Sequence, residues 1–220
     1  MLFRSNTRRG EFKLYRYAQS DLERHHPDPY LLMAEKLRRN RQGILAFQEA
    51  LGDLSPVAQV YDFNTVSGVP PSLIPPESVD IVVTSPPYGD SQTTVAYGQY
   101  SRLSAAWLSL PDVAKVDRAL MGGGRRKTLP RFPSDDLNDA LQSIAQQDTS
   151  RALEVSSFYC DLHSSIAHIA PLVKPGGYVC YVVGNRTVKR TPLPTDRAIR
   201  HFFRSEEHTS ELLSPCNLVC

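Results

Sequence analysis

Apolar residues recur along this chain in two rhythms, and the change from one to the other predicts its elements. Between Asp21 and Leu51, the residues Leu31, Leu32, Ala34, Leu37, Ile44, Leu45, Phe47 and Leu51 fall at helical spacing. One or two helices are expected there, interrupted by Pro27 and Pro29. The preceding stretch, Asn6 to Ser20, is polar and basic with no clear period. Gln59-Val60-Tyr61-Asp62-Phe63 alternates and predicts a strand, and Asn64 to Ser78 reads as a proline-rich loop. In Val79-Asp80-Ile81-Val82-Val83, the β-branched run from Ile81 to Val83 suits a sheet covered on both faces. That strand must end near Thr84, because Pro86 has no N–H to donate and Pro87 restricts the residue before it.

Further along, Ser101 to Leu110 predicts a helix carrying Trp107. Asp136 to Pro171 reads as helical, with Leu153, Phe158, Leu162, Ile166 and Ile169 toward the core. Lys174-Pro175-Gly176-Gly177 predicts a turn, followed by a second buried strand over Tyr178 to Val183. Thr195 is expected to cap a last helix. Strands alternating with helices predict an α/β fold with a mostly parallel sheet flanked by helices.

Chemistry enters where the first buried strand stops. Ser85-Pro86-Pro87-Tyr88 forms a stiff, extended loop at a strand's carboxyl end, the edge at which open α/β sheets bind ligands. A hydroxyl, free carbonyls and an aromatic ring on such a loop suit a flat polar group. A strand that merely ends in a proline-rich turn would look the same locally. Gly89 to Tyr100 adds Tyr97 and Tyr100 among polar residues, which suits either base stacking or a half-buried loop.

Thr84-Ser85-Pro86-Pro87-Tyr88 resembles the catalytic motif of DNA amino-methyltransferases, in the form typical of the cytosine-N4 branch. The adenine-N6 branch usually has Asp in place of Ser85, and RNA or protein amide methyltransferases usually have Asn. The approach through Ser78-Val79-Asp80, the Lys174 to Val183 unit, and Gly184-Asn185 followed by Pro194-Thr195-Asp196 are similar to the same family. Together the resemblance covers about Val60 to Phe203.

The resemblance implies a partial Rossmann-like fold and a methyl transfer from S-adenosylmethionine to the exocyclic amine of a base flipped out of double-stranded DNA. It implies a cytoplasmic restriction-modification setting with a possible cognate restriction endonuclease. Ser85, Pro86, Pro87 and Tyr88 would be the catalytic residues. The Ser85 hydroxyl and the Pro86 carbonyl would accept the amine's protons, and Tyr88 would stack on the base. Asp62 is a weak candidate for the cofactor's adenine end, a turn or cap role being equally open. The family's Asp-Pro-Phe-x-Gly-Ser-Gly turn has no match here. The resemblance places it amino-terminal to the catalytic motif, so the chain is expected to be a fragment that lacks it and does not methylate DNA alone. An adenine-N6 enzyme, or a non-catalytic DNA-binding module on the same scaffold, is the alternative.

The two ends read differently from the rest. Arg204-Ser205-Glu206-Glu207-His208-Thr209-Ser210-Glu211-Leu212 resembles the in-frame translation of a short-read sequencing adapter, AGATCGGAAGAGCACACGTCTGAACTC. Asn217 to Cys220 fits AATCTCGTATGC, and Met1 to Ser5 fits GTGCTCTTCCGATCT with GTG taken as a start. Residues 1–5 and 204–220 are thus expected to be adapter-derived. Between them lie a helical, basic segment over 6–57 and the catalytic half of the enzyme over 58–203.

Setting the ends aside removes Arg4, Arg204 and three glutamates, which moves the net charge from +2 to +3. That permits a nucleic-acid partner without requiring one. Cys160 and Cys180 remain, inside apolar stretches that suit reduced, buried thiols with no catalytic role. No zinc-ligand spacing survives, and His25-His26 has no partner at metal-binding spacing. No apolar run approaches a membrane span. Lys36, Arg38, Arg39 and Arg41 suit a solvated helix face before a DNA-contacting one. Gly122-Gly123-Gly124-Arg125-Arg126-Lys127 reads as a disordered basic loop or, less readily, as one whose Arg125, Arg126 and Lys127 reach the DNA backbone.

Overall fold

Asp28 and Pro29 start the longest helix, and they show how local chemistry sets the boundaries of this molecule. The computed structural model describes residues 4–6, 11–13, 20, 28–54, 56–87, 89, 104–115, 118, 120–124 and 126–206. The chain divides into two compact units, Met1–Tyr61 and Asp62–Cys220.

In the first unit, β1 (Arg4–Asn6) pairs antiparallel with β2 (Glu11–Lys13), a ladder that the aperiodic sequence did not announce. Helix α1 spans Pro29–Leu51. The Asp28 carboxylate accepts from the backbone N–H of Tyr30 at 2.9 Å and of Leu31 at 3.0 Å. Pro29 occupies the first helical position, where its missing N–H costs nothing, so it starts the helix and does not interrupt it. Gly52, at φ +56°, ends it. No residue of α1 is buried.

In the second unit, β3 (Val79–Thr84) pairs parallel with β4 (Val173–Tyr181). Between them in sequence lie α2 (Asp135–Gln147) and α3 (Thr149–Ile169). After them come a two-residue-turn hairpin, β5 (Thr187–Val188) with β6 (Thr191–Pro192), and helix α4 (Thr195–Glu206). Lys189 and Arg190, both at positive φ, make the tight turn that matches strand twist. Ile81 faces Tyr178 and Thr84 faces Tyr181, but Val79 faces Val173. Residues 174–177, the expected turn, are therefore a bulge within β4. Only glycine fits at Gly177, where a Cβ would lie 2.7 Å from Val173 Cγ1 and 3.0 Å from the Asp80 carbonyl oxygen.

The helical region predicted over Asp136 to Pro171 is two helices. Asp148 ends α2 by donating its N–H to the Ile144 carbonyl at 2.8 Å. It starts α3 by accepting from the Arg151 N–H at 3.0 Å. Helices α2, α3 and α4 share one core, with Leu137, Ile144, Tyr159, Leu162, Ile166 and Phe202 fully buried. Of the five expected core positions in α3, Phe158, Leu162 and Ile166 are buried, while Leu153 and Ile169 are half-buried.

Two expectations fail here for identifiable reasons. The strands were expected to be covered on both faces. Only one face packs on the helices, through Val82, Val179, Tyr181 and Val183, whereas Ile81, Val83, Tyr178 and Val182 are exposed on the other. The alternating stretch Gln59 to Phe63 is not a strand, since alternation without a neighbouring strand leaves its backbone unpaired. Of the helix expected over Ser101 to Leu110, residues 101–103 lie outside the described residues, and a helical turn at 104–107 carries Trp107, which is exposed. Helix α4 continues through Arg204 and Ser205 to Glu206, a run with no Gly or Pro to stop it. Among the described residues no helix is long and apolar enough to cross a membrane.

Candidate active site at the end of the parallel pair

The last rung of the ladder is the Val182 N–H, which donates to the Thr84 carbonyl at 2.9 Å. Beyond it the two chains part, one into Ser85-Pro86-Pro87 and the other into Gly184-Asn185-Arg186. This is the carboxyl edge that the proline positions imply. Ser85 is exposed, Pro86 is buried and Pro87 is half-buried. Tyr88 lies outside the described residues. Gly89 is buried at φ +146°, a backbone conformation that suits glycine and no β-carbon-bearing residue.

Gly89 lines a cleft with Phe158 and Tyr159 of α3, Arg186, Leu193 and Thr195, and that cleft is too narrow to admit a water molecule. The far end of the loop is therefore anchored on packed side chains. Tyr159 is 1% exposed, and its hydroxyl shares a hydrogen bond of 2.8 Å with Thr195 Oγ1. Burial pushes the Tyr159 hydroxyl up to about 12, so it stays neutral.

Thr195 is thus engaged with Tyr159, and the expected cap of α4 is made by another residue. Asn185 Oδ1 accepts from the Asp196 N–H at 3.2 Å, while its Nδ2 donates to Asp196 Oδ1 at 2.8 Å. This reciprocal pair ties the end of β4 to the start of α4. The position of Asn185 at a strand's carboxyl edge was readable from sequence. Tyr159 gave no signal beyond helical spacing.

The glycine-rich loop is bound to α3, against the expectation of disorder. Gly122 and Gly123 are buried, and the Gly122 N–H donates to Asp161 Oδ2 at 2.7 Å. The Arg126 N–H donates to Ser157 Oγ at 3.3 Å. Arg126 and Lys127 are exposed, and Arg125 lies outside the described residues. Burial pushes the Cys160 thiol up and favours its protonated form, and the nearby Arg126 charge partly opposes this. Asp62 is exposed, and the strand expected to present it is absent.

Neither of two hollows lined by described residues suits S-adenosylmethionine. The cleft at Gly89 has no room. A hollow of about 340 Å³ beside the amino end of α2, at Leu129, Arg131, Asp135 and Asn138, presents no aromatic side chain on which an adenine could stack. There the Asn138 amide is committed to the Phe132 backbone, at 2.9 and 2.8 Å.

Over 212 residues the chain is 40% identical to a protein described as Type II methyltransferase M.MvaI, from Kocuria varians. It is similar to a type II methyltransferase. The match covers 91% of this chain and 47% of that protein, so the chain spans about half the length of the curated relative it matches. No family model matches the chain, and no solved structure does.

Proposed function

We propose that this chain carries the catalytic-loop half of a site-specific DNA methyltransferase of the cytosine-N4 type. The whole protein would transfer a methyl group from S-adenosylmethionine to the exocyclic amine of a flipped base in double-stranded DNA. It would work in a cytoplasmic restriction-modification setting with a cognate endonuclease. The observation that carries this is the Ser85-Pro86-Pro87 loop at the carboxyl end of β3, with Ser85 exposed and Pro86 buried. The resemblance to M.MvaI supports it.

The amine of cytosine is a poor nucleophile because its lone pair is delocalised into the ring. Ser85 Oγ and the Pro86 carbonyl would each take a hydrogen bond from the amine's protons and favour a tetrahedral nitrogen. Fixed acceptors of this kind stabilise developing positive charge without a strong base. Pro87 would hold the loop stiff, Tyr88 would stack on the base, and Arg125, Arg126 and Lys127 would meet phosphates. Asp62 stays a weak candidate for the cofactor's adenine end. The family's glycine-rich cofactor turn has no match in this sequence, and residues 58–203 would be the catalytic half of a partial Rossmann-like domain. Residues 6–57 would make up a basic N-terminal segment whose helix is Pro29–Leu51, and residues 1–5 and 204–220 are read as adapter-derived. Ser85, in place of Asp, favours cytosine-N4 over adenine-N6.

The test is Ser85→Ala in the full-length protein, measured as methyl transfer to DNA. A loss of about 100-fold or more is expected when a preorganised acceptor is removed. Unchanged transfer would take Ser85 out of the mechanism, and no activity in the unmutated parent would favour a binding module. The same assay on the 220-residue chain alone is expected to read no transfer.

A further inference from the structure

Just past the carboxyl edge of β4, three cations fall within five residues, Arg186, Lys189 and Arg190, and no acidic residue occurs from Arg186 to Thr195. They ride on the β5–β6 hairpin, which is fixed at both its root and its tip. Val188 and Leu193 are sunk in the core, and the Leu193 N–H donates to the Arg186 carbonyl at 2.8 Å across the root. Lys189 Nζ reaches Asp148 Oδ2 at 2.9 Å, which ties the tip to the start of α3. Lys189 and Arg190 are exposed, and both sit at positive φ, +48° and +61°, where Asn and Gly make such a turn without strain. Backbone held in that region by firm surroundings is a mark of binding elements. Arg186 lines the same cleft as Gly89, so the root of the hairpin and the far end of the proposed catalytic loop are neighbours.

We propose that the β5–β6 hairpin grips the sugar–phosphate backbone of duplex DNA, with Arg190 and Lys189 on phosphates. The contact rests on the proposed function, which brings DNA to this edge, and it adds an element separate from the basic loop at 125–127. A base delivered to Ser85 stays attached to its strand, whose phosphates follow one another every 3.4 Å or so, roughly, along the helix axis. Those phosphates must pass beside the cleft that Gly89 shares with Arg186. An ammonium has three donors, so Lys189 holds Asp148 with one and keeps the others for a phosphate. Asp148 offsets part of the Lys189 charge, which leaves the larger share of the contact to Arg190. Its planar fork matches two phosphate oxygens.

The experiment titrates the 220-residue chain onto a labelled duplex of about twenty base pairs, without cofactor, between about 50 and 200 mM salt. Fluorescence anisotropy reads the affinity and its salt slope. Arg190→Gln is expected to weaken binding several-fold and to lower the slope by about 1. Arg190→Lys, which keeps the charge, should bind nearly as the unmutated chain does. Lys174→Gln removes a charge at the opposite end of β4, where Lys174 pairs with Asp80 at 2.7 Å, and should leave the slope unchanged. Equal losses in Arg190→Gln and Lys174→Gln overturn the proposal, because net charge alone would then account for binding. So does a chain that binds no duplex at the lowest salt. A footprint on the unmutated chain needs no variant. Bound duplex should slow acetylation of Lys189 and leave that of Lys174 unchanged, and equal labelling of Lys189 with and without DNA overturns the contact. Methyl transfer enters neither reading. Binding through Arg190 in a chain whose full-length parent methylates nothing would keep the hairpin contact and remove the activity. Loss of transfer in Ser85→Ala with no effect of Arg190→Gln would do the reverse.

Discussion

Helices α1 and α3 are nearly the same length, 23 and 21 residues, and both carry apolar residues at helical spacing. Their fates are opposite. α3 buries ten residues in the core of the second unit, whereas α1 buries none and leaves Leu37, Ile44 and Phe47 about 60% exposed. What α1 has in place of packing is good ends, with Asp28 at its start and Gly52 at its close. The difference teaches that periodicity specifies a helix and caps specify its limits, while burial depends on what lies opposite.

The comparison can be broken most forcefully at Phe202, which is fully buried against Phe132 at 5.7 Å and His163 at 4.6 Å. Phe202→Ala is expected to cost about 3–5 kcal/mol and to lower the unfolding midpoint of the second unit steeply. Leu37→Ser in α1, by contrast, should change stability by no more than about 0.5 kcal/mol. Denaturant titration of both variants reads the contrast, and equal effects would mean that α1 is not the exposed helix described above.

A smaller effect is expected from Tyr159→Phe, which leaves the buried Thr195 hydroxyl without its partner at a cost of about 1–2 kcal/mol. The same titration measures it, and a neutral result would show that this hydrogen bond does not brace the loop. A pH-dependent effect belongs to Asp148, at the junction of α2 and α3. The Arg151 N–H, and then Lys189 at 2.9 Å, hold its carboxyl below the ordinary 3.8. A depressed carboxyl contributes stability above its unfolded value that is lost as pH falls through the folded one. Stability should therefore decline below about pH 4. In Asp148→Asn that part of the acid limb should flatten, as read by thermal melts across the acid range.

The strand end before the proline loop could be read from residue chemistry, because its signals are local. Two prolines stop a strand wherever they fall, and a Lys-Pro-Gly-Gly run must bend. The features that escaped are those that depend on distant neighbours. Nothing in Ile81 or Val83 says whether a helix stands over them. Nothing in Gly122 foretells that Asp161, 39 residues later, will take its N–H. The alternation of Gln59 to Phe63 is a strand's pattern without a strand's partner. Asp148 sits in Gln146 to Arg151, a wholly polar stretch between two apolar periods that was read as one helical region. Thr195 has the chemistry of a cap, and its hydroxyl went instead to a tyrosine 36 residues away.

The pairing of β3 with β4 also sets an order of assembly. Asp80 meets Lys174 across 94 residues of chain, so the ribbon closes only after a long loop has been drawn in. Helices α2 and α3 form within that loop from neighbouring residues, on a far shorter timescale. During synthesis the Ile-Val-Val strand and its proline loop therefore leave the ribosome well before their partner exists. The serine loop is completed last, and until then its strand is an open, sticky edge that the cell must keep from pairing elsewhere.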